Sequence, residues 1–146
     1  MKISSPDFEE NGQIPAQFSC NGENVSPVLK IEGVSAQTKS FVLILDDPDA
    51  PSNNFTHWII WNIPPDTSEL NSSALPSGVI EGVNGSGKPG YIGPCPPSGT
   101  HRYIFHLYAL NQVLNLKEKS SRDDLEDAME GKILEETTLT GLYQQS

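Results

Sequence analysis

The chain has 146 residues, a length that suits one domain with its own hydrophobic core. Nineteen Asp and Glu residues against nine Lys and Arg give a formal net charge of −10 at pH 7. This charge argues against nucleic acid and anionic lipid surfaces as partners, because both are bound through accumulated positive charge.

The N-terminal sequence MKISSPDF has no apolar stretch typical of a signal peptide. The longest aliphatic runs, such as FVLIL at 41–45, have the length of a strand and are too short for a membrane span. We therefore expect a cytoplasmic protein without membrane insertion. The two cysteines, Cys20 and Cys95, are too few for a disulfide framework. We expect them to be buried free thiols, with a bridge between them as the alternative.

Short β-branched and aromatic runs, bounded by Pro, Gly, Asp or Asn, predict a mostly β protein. The strongest runs are 40–45, 56–63 and 101–110. Each is apolar on both faces, which predicts a central position in a packed sheet. Weaker patterns predict further strands near 28–32 and 133–143.

One helix is predicted, in the sequence RDDLEDAME that follows Ser121. Ser121 is a good N-cap, acidic residues fill the first turn, and Gly131 stands where a C′ glycine belongs. We expect this helix to lie at the periphery of the molecule.

Residues 82–99 form the one biased segment, in which ten of eighteen residues are Gly or Pro. A long loop of this kind inside a compact domain is usually functional or disordered. The prolines of GPCPP (93–97) and Tyr91 favour an ordered, functional loop, because proline fixes φ and stiffens the backbone. We also predict a cis peptide bond before one of the nearby prolines, with Ala50–Pro51 as the first choice.

Two motif matches fail on inspection. Residues 82–88 fit the phosphate-binding pattern G-x-x-x-x-G-K, but Pro89 replaces the Ser or Thr that would bind magnesium. A calcium loop starting at Asp47 would need Gly at Ser52 and a bidentate Glu at Trp58. The three histidines have no zinc-ligand spacing, and no G-x-S-x-G elbow is present. The sequence therefore predicts no metal, no cofactor and no enzyme.

Polar side chains instead gather at predicted strand ends. His101 and Tyr103 are two residues apart and therefore share one face of their strand. Asp47 continues the parity of the apolar residues at 41, 43 and 45, so we expect it on the face that they bury. His57 begins another apolar strand. Together with the N–H groups of GPCPP, these side chains predict a small anion cleft.

Each candidate also has a structural alternative. Asp47 and Asp49 have the placement of residues that accept N–H groups within a turn. A single histidine such as His57 at a strand start is more often structural. We assign His106, which has the opposite parity to His101, to packing, and Arg102 to pairing with an acidic residue on that same second face of the strand.

The chain resembles a known family in several segments: DPDAP (47–51), HWIIWNIP (57–64), GYIGPCPPSGTHRYIFHLYAL (90–110) and IPAQFSCNGENVSP (14–27). The family is that of the phosphatidylethanolamine-binding proteins, in their bacterial and archaeal Raf kinase inhibitor-like branch. The resemblance implies a large antiparallel sheet packed on a smaller one, with one or two short peripheral helices and a ligand cleft at strand ends. The matching cleft positions are Asp47, Asp49, His57, Gly93, Pro94, His101 and Tyr103.

The sequence departs from the animal members because it ends in GLYQQS after a predicted strand, without their C-terminal helix beside the cleft. The resemblance to the animal members is therefore a poor basis for predicting kinase inhibition by this chain. Three hypotheses follow: a binding protein for a small phosphorylated or carboxylate ligand, which we favour; a regulator that inhibits a kinase or protease; and a hydrolase using Asp47 with His57 or His101. Self-association of relatives leaves a homodimer open.

Overall fold

The computed structural model describes residues 1–145. The elements are β1 (Lys2–Ser4), β2 (Gly12–Gln13), β3 (Leu29–Glu32), β4 (Ser40–Asp47), β5 (Phe55–Ile63), β6 (Glu69–Leu70), β7 (Ile80–Glu81), β8 (His101–Leu110), α1 (Arg122–Met129) and β9 (Ile133–Tyr143), with a 3₁₀ turn at Ala16–Phe18. All five predicted strands are present. The strands that the sequence did not predict have only two or three residues, which is too short for a periodic pattern.

Two sheets form the molecule. The larger has six strands in the order β2-β9-β8-β4-β5-β7, and the smaller has three in the order β1-β3-β6. The three strands predicted to be central, β8, β4 and β5, are neighbours inside the larger sheet. All pairs in that sheet are antiparallel except β2 with β9, which is parallel. The predicted architecture of a large sheet packed on a smaller one is confirmed.

The larger sheet buries both of its faces at β4 and along most of β5. Its front face, which we define as the face toward the smaller sheet, carries Phe41, Leu43 and Leu45 into the main core. Its back face carries Val42 and Ile44 into a second cluster. This two-sided burial explains why β4 reads as an unbroken apolar run.

Helix α1 covers the back face. Ser121 and Asp124 form a reciprocal capping box at its start, and Leu125 and Met129 pack against the back face of the sheet. Gly131 follows the helix with a φ of 79°, as a C′ glycine should. No helix of residues 1–145 is long and apolar enough to cross a membrane.

Two sequence predictions are wrong. Cys20 and Cys95 are not buried thiols: both are exposed and form a disulfide bond with each other, across a sequence separation of 75 residues. Tertiary packing brings the two segments together, and neither the cysteine count nor the spacing reveals that contact. Within residues 1–145 no peptide bond is cis, so Ala50–Pro51 is trans.

Candidate functional site

A cavity of about 360 Å³ opens where β4, β5 and β8 end on the front side of the larger sheet. Its lining consists of Asp47, Ala50, Pro51, Ser52, Phe55, His57, Ile92, Gly93, Cys95, Pro96, Pro97, His101 and Tyr103. Of the predicted cleft residues, only Asp49 and Pro94 do not line this cavity. The structure therefore brings together residues from three strands and two loops, at 50–52 and 92–97.

A change of register in β5 places His57 in the cavity. Leu45 pairs with Trp58, whereas the next residue of β4, Asp46, pairs with Thr56. His57 is thus an extra residue on β5, as in a β-bulge. Thr56 contacts Arg122 on the back side, while Trp58 packs into the front core. The bulge therefore lets the consecutive residues His57 and Trp58 both serve the front side.

The ring of His57 is fixed by its Nδ1 atom, which lies 2.7 Å from the carbonyl oxygen of Ile92. Because a carbonyl only accepts hydrogen bonds, Nδ1 carries the proton and donates it. The residue is only 5% exposed, and burial lowers the pKa of this imidazole below its usual value. The Ile92 carbonyl and the Asp47 carboxylate oppose that shift. His57 is therefore neutral near pH 7.

His101 is oriented in the same way by a different acceptor. Its Nδ1 atom lies 2.7 Å from Oδ2 of Asp47, and both residues are buried. The other carboxylate oxygen of Asp47 accepts the N–H of Asp49 at 2.8 Å. Asp47 thus accepts an N–H within a turn, which was the structural role considered for it from the sequence. It also orients a histidine of the cavity.

Tyr103 presents the least satisfied polar atom of the cavity. Its side chain is 1% exposed, and its hydroxyl makes no well-formed hydrogen bond among the described residues, although the Asp47 carboxylate and the main chain of Cys95 lie near it. Burial, followed by the nearby Asp47 carboxylate, raises the pKa of this phenol, so it stays protonated at neutral pH. Its ring meets that of His57 edge to face, with centroids 5.3 Å apart. A neutral O–H donor therefore lies beside both histidines.

The loop 91–97, which we call the wall segment, closes one side of the cavity. The N–H of Gly93 donates to Oδ1 of Asn24 at 2.8 Å, so this amide is already used. A Cβ at Gly93 would come within 2.4 Å of the Phe18 carbonyl oxygen, which explains why glycine stands here. Pro94 accepts the N–H of Cys20 through its carbonyl, and thus contributes to the wall from behind.

Asp49 lies outside the cavity and is paired with Arg102. The carboxylate accepts three hydrogen bonds from this one residue: from its main-chain N–H, from Nε and from Nη2. The side-chain hydrogen bond to Arg102 lowers the pKa of Asp49 to about 2. The predicted pairing of Arg102 with an acidic residue is present, and it ties the loop after β4 to the start of β8.

The apolar lining outside the GPCPP segment was not predicted from the sequence. Phe55 precedes His57 by two residues, and its ring packs edge-on against the imidazole at 4.8 Å. Ala50, Pro51 and Ile92 complete this surface. The lining contains no Lys or Arg, so histidine is its one source of positive charge. Within residues 1–145, no three His, Cys, Asp or Glu side chains are grouped so as to hold a metal ion.

The sequence matches the model of one family, described as phosphatidylethanolamine-binding protein, over residues 4–144. The chain belongs to this family. A UPF0098 protein of Methanothermobacter thermautotrophicus is 49% identical over 150 residues, which cover 99% of each chain. A UPF0098 protein of Pyrococcus horikoshii is 48% identical, over 99% of this chain and 77% of that protein. The resemblance noted from the sequence motifs is confirmed.

Solved structures of phosphatidylethanolamine-binding protein relatives share the fold. The crystal structure of a homologue from Chlamydia trachomatis superposes with a TM-score of 0.94 at 36% identity, covering 99% of this chain and 97% of that one. E. coli YbcL, described as a new member of the mammalian family, gives a TM-score of 0.91 at 28% identity, covering 99% and 98%.

Proposed function

We propose that this member of the phosphatidylethanolamine-binding protein family is a non-enzymatic binding protein. Its cavity would take one small anionic group of the phosphate, phosphoethanolamine or carboxylate type. One observation carries the proposal: two buried imidazoles and one buried phenol line the same cavity with polar atoms that no protein group uses. The Nε2 atoms of His57 and His101 have no hydrogen-bond partner among residues 1–145, and neither does the hydroxyl of Tyr103.

These atoms suit the edge of a bound anion. Phosphate and carboxylate oxygens accept hydrogen bonds, and a buried polar group that gains such a partner recovers part of its desolvation cost. Phe55, Pro51 and Pro96 give part of the lining an apolar surface, which lowers the local dielectric and strengthens the electrostatic contacts of the polar atoms beside it. The cavity therefore supports recognition of a small charged group attached to an apolar or flexible body.

The hydrolase hypothesis has weaker support. Asp47 orients His101 as a carboxylate orients a catalytic base, but an acyl or phosphoryl transfer also needs an activated nucleophile. Within residues 1–145 no hydrogen bond joins either cavity histidine to a hydroxyl or thiol that it could activate, and Cys95 is held in the disulfide. For this reason binding, and not turnover, is our proposal.

The kinase or protease regulator hypothesis predicts an exposed apolar patch beside the cleft. The large apolar side chains that are well exposed in residues 1–145 are Val113, at 63%, and Ile133, at 45%. Neither lines the cavity. The structure thus gives this alternative no specific support. Cytoplasmic location and homodimer formation stay predictions.

A thermal-shift titration tests the proposed site. We expect phosphate or phosphoethanolamine to raise the melting temperature at about pH 6, which lies below the ordinary histidine pKa near 6.5. A ligand at a hundred times its dissociation constant adds about 2.7 kcal/mol to the free energy of unfolding. For a domain of this size the melting temperature should rise by roughly 5 to 11 °C.

His101→Ala should lose most of that rise, because it removes one of the cavity imidazoles. His106→Ala is the matched control, since His106 lies on the back side near Asp46, outside the cavity. The stability of the His106→Ala variant will change, but the rise in melting temperature that the ligand causes should match that of the unsubstituted protein. Equal ligand responses in all three proteins would contradict the assignment of the cavity.

A further inference from the structure

We infer that anion binding in this cavity is coupled to uptake of a proton by His57, so that the site prefers singly charged anions to doubly charged ones. This inference rests on the proposed function and adds the charge state of the ligand. It follows from three features of the cavity: the fixed orientation of the imidazoles, the set of charges that surround them, and the burial of His57.

The first feature is the hydrogen bond at each Nδ1 atom. Ile92 offers only a carbonyl to His57, and Asp47 offers a carboxylate to His101, each at 2.7 Å. In the neutral ring the single proton therefore sits on Nδ1, and Nε2 is left with a bare lone pair. A bare lone pair repels an oxyanion. An imidazole held in this way can donate to an anion from Nε2 only when the ring is charged.

The second feature is the charge balance of the lining. His57 is faced by Asp47 from β4 and by His101 and Tyr103 from β8, while Phe55 on its own strand carries no charge. The imidazoles of His57 and His101 are the only cationic side chains that the lining can offer, and the Asp47 carboxylate offsets one of them, so the lining carries at most one net positive charge. A singly charged anion is then balanced, whereas a doubly charged anion leaves one negative charge without a partner in a buried site.

Charges outside the cavity do little to change this balance. Arg102 directly follows His101 in the sequence, but its guanidinium is exposed and paired with Asp49. Asp46 acts on His57 from the back side, where it is paired with Arg122. Each of these pairs is nearly neutral as a unit, so neither supplies a free positive charge for a ligand.

The third feature is the burial of His57, which keeps the empty cavity from holding the proton in advance. Desolvation lowers the pKa of this ring, as described above. An anion at Nε2 supplies the opposite charge that the empty site lacks, and a contact of that kind favours the charged ring. Binding and protonation therefore stabilise each other.

Calorimetry on the intact protein measures this coupling directly. Dimethyl phosphate is the probe, because it stays singly charged between about pH 5.5 and 8 and any proton taken up must go to the protein. The titrations use several amine buffers, whose base form is uncharged and which differ in their ionisation enthalpies. The slope of the observed enthalpy against the buffer ionisation enthalpy should show uptake of at least part of a proton at about pH 7. The affinity should fall with rising pH, approaching about tenfold per pH unit for one proton.

Sulfate and methyl sulfate test the charge preference, since they differ by one charge and keep those charges over the same range. We expect methyl sulfate to bind at least about tenfold more tightly than sulfate, which corresponds to 1.4 kcal/mol. Equal or tighter binding of sulfate would overturn this preference.

His57→Gln separates the proton from the hydrogen bond, because the Gln amide can donate without being charged. The affinity of this variant for dimethyl phosphate should depend less on pH than that of the unsubstituted protein, because about one proton fewer is taken up on binding. His106→Gln, on the back side, is the control and should keep the full pH dependence. If the cavity binds dimethyl phosphate without proton uptake, the inference fails and the proposed function stands. If none of the anions binds at any pH, the proposed function fails.

Discussion

Polar atoms in the cavity differ in whether the protein itself satisfies them. Asp47 and the Nδ1 atoms of both cavity histidines have close partners, whereas the hydroxyl of Tyr103 makes no well-formed hydrogen bond within residues 1–145. Leaving a buried hydroxyl without a partner costs about 1–3 kcal/mol of stability. Such a cost is typical of atoms that a ligand satisfies, because binding sites retain groups that the folded protein alone does not need.

Tyr103→Phe should therefore change stability and binding in opposite directions. Removal of the unpartnered hydroxyl should raise the free energy of unfolding by about 1 kcal/mol, and loss of the donor should weaken anion binding by roughly tenfold. Urea unfolding and the thermal-shift titration measure the two effects. A variant that is less stable and binds the anion normally would show that the hydroxyl is structural.

Tyr143→Phe is the matched control for that prediction. Tyr143 is also buried, but its hydroxyl accepts hydrogen bonds from Ser19 at 2.9 Å and from Asn21 at 2.7 Å. It does not line the cavity. This substitution should lower stability by about 1 kcal/mol and leave the anion response unchanged.

The alternation of side chains along a strand predicts part of the site from the sequence, but not all of it. His101 and Tyr103 could be placed together because β8 is regular, and Asp47 because β4 keeps its alternation up to the last residue. His57 could not be placed by parity, since the bulge in β5 changes the face on which it lies. The use of the Gly93 amide by Asn24 also depends on a contact between distant segments, which no local pattern reveals.

At the scale of elements, the wall segment is a loop made rigid by its ties to residues 18–24. Tyr91 donates its hydroxyl to the Phe18 carbonyl at 2.7 Å, and Cys20 donates its N–H to the Pro94 carbonyl at 3.1 Å. The disulfide of Cys20 with Cys95 adds a covalent tie at the rim. A loop without regular structure thus keeps a fixed position beside the strand ends, as a binding site requires.

Removing the disulfide should loosen the wall and lower stability. A cross-link between residues 75 apart removes much chain entropy from the unfolded state, and its loss costs about 2–4 kcal/mol. Cys20→Ser and Cys95→Ser each break the same bond. Each single variant and the double variant should therefore show nearly the same loss in a urea titration. Additive losses, or no loss, would contradict a formed bridge, and thiol counting on denatured protein without reductant should then find free groups.

At the scale of the whole molecule, the layered architecture could be predicted from the sequence, but the order and pairing of the strands could not. Three strands that are apolar on both faces require covering layers on both sides, and the structure supplies the smaller sheet in front and α1 behind. The strand order and the parallel pairing of β2 with β9 could not be predicted, because they are set by contacts between distant parts of the chain. The disulfide also removes the support that free thiols would have given to a reducing compartment.

The dependence of stability on pH should show the effect of two histidines on the whole fold: His57, which is buried in the cavity, and His106, which is half-buried on the back side. Burial lowers the pKa of His57 and of His106 below the value near 6.5 expected in the unfolded chain. Below that value the unfolded chain binds more protons than the folded one. The stability that the neutral rings provide is therefore complete above about pH 6.5 and is lost as the pH falls through their folded-state pKa values. The slope approaches about 1.4 kcal/mol per pH unit for each ring.

Asp49 does not interfere in this range. Its pKa of about 2 means that its pairing with Arg102 is lost only in strong acid. Acidification also reduces the net charge of −10, which relieves repulsion in every variant alike. We therefore expect the unsubstituted protein to lose more stability between about pH 7 and 5 than the double variant His57→Gln, His106→Gln. Urea titrations in chloride salts of amine buffers, without phosphate, sulfate or carboxylate, measure this difference, and parallel stability curves would show that the two rings are not held neutral by the fold.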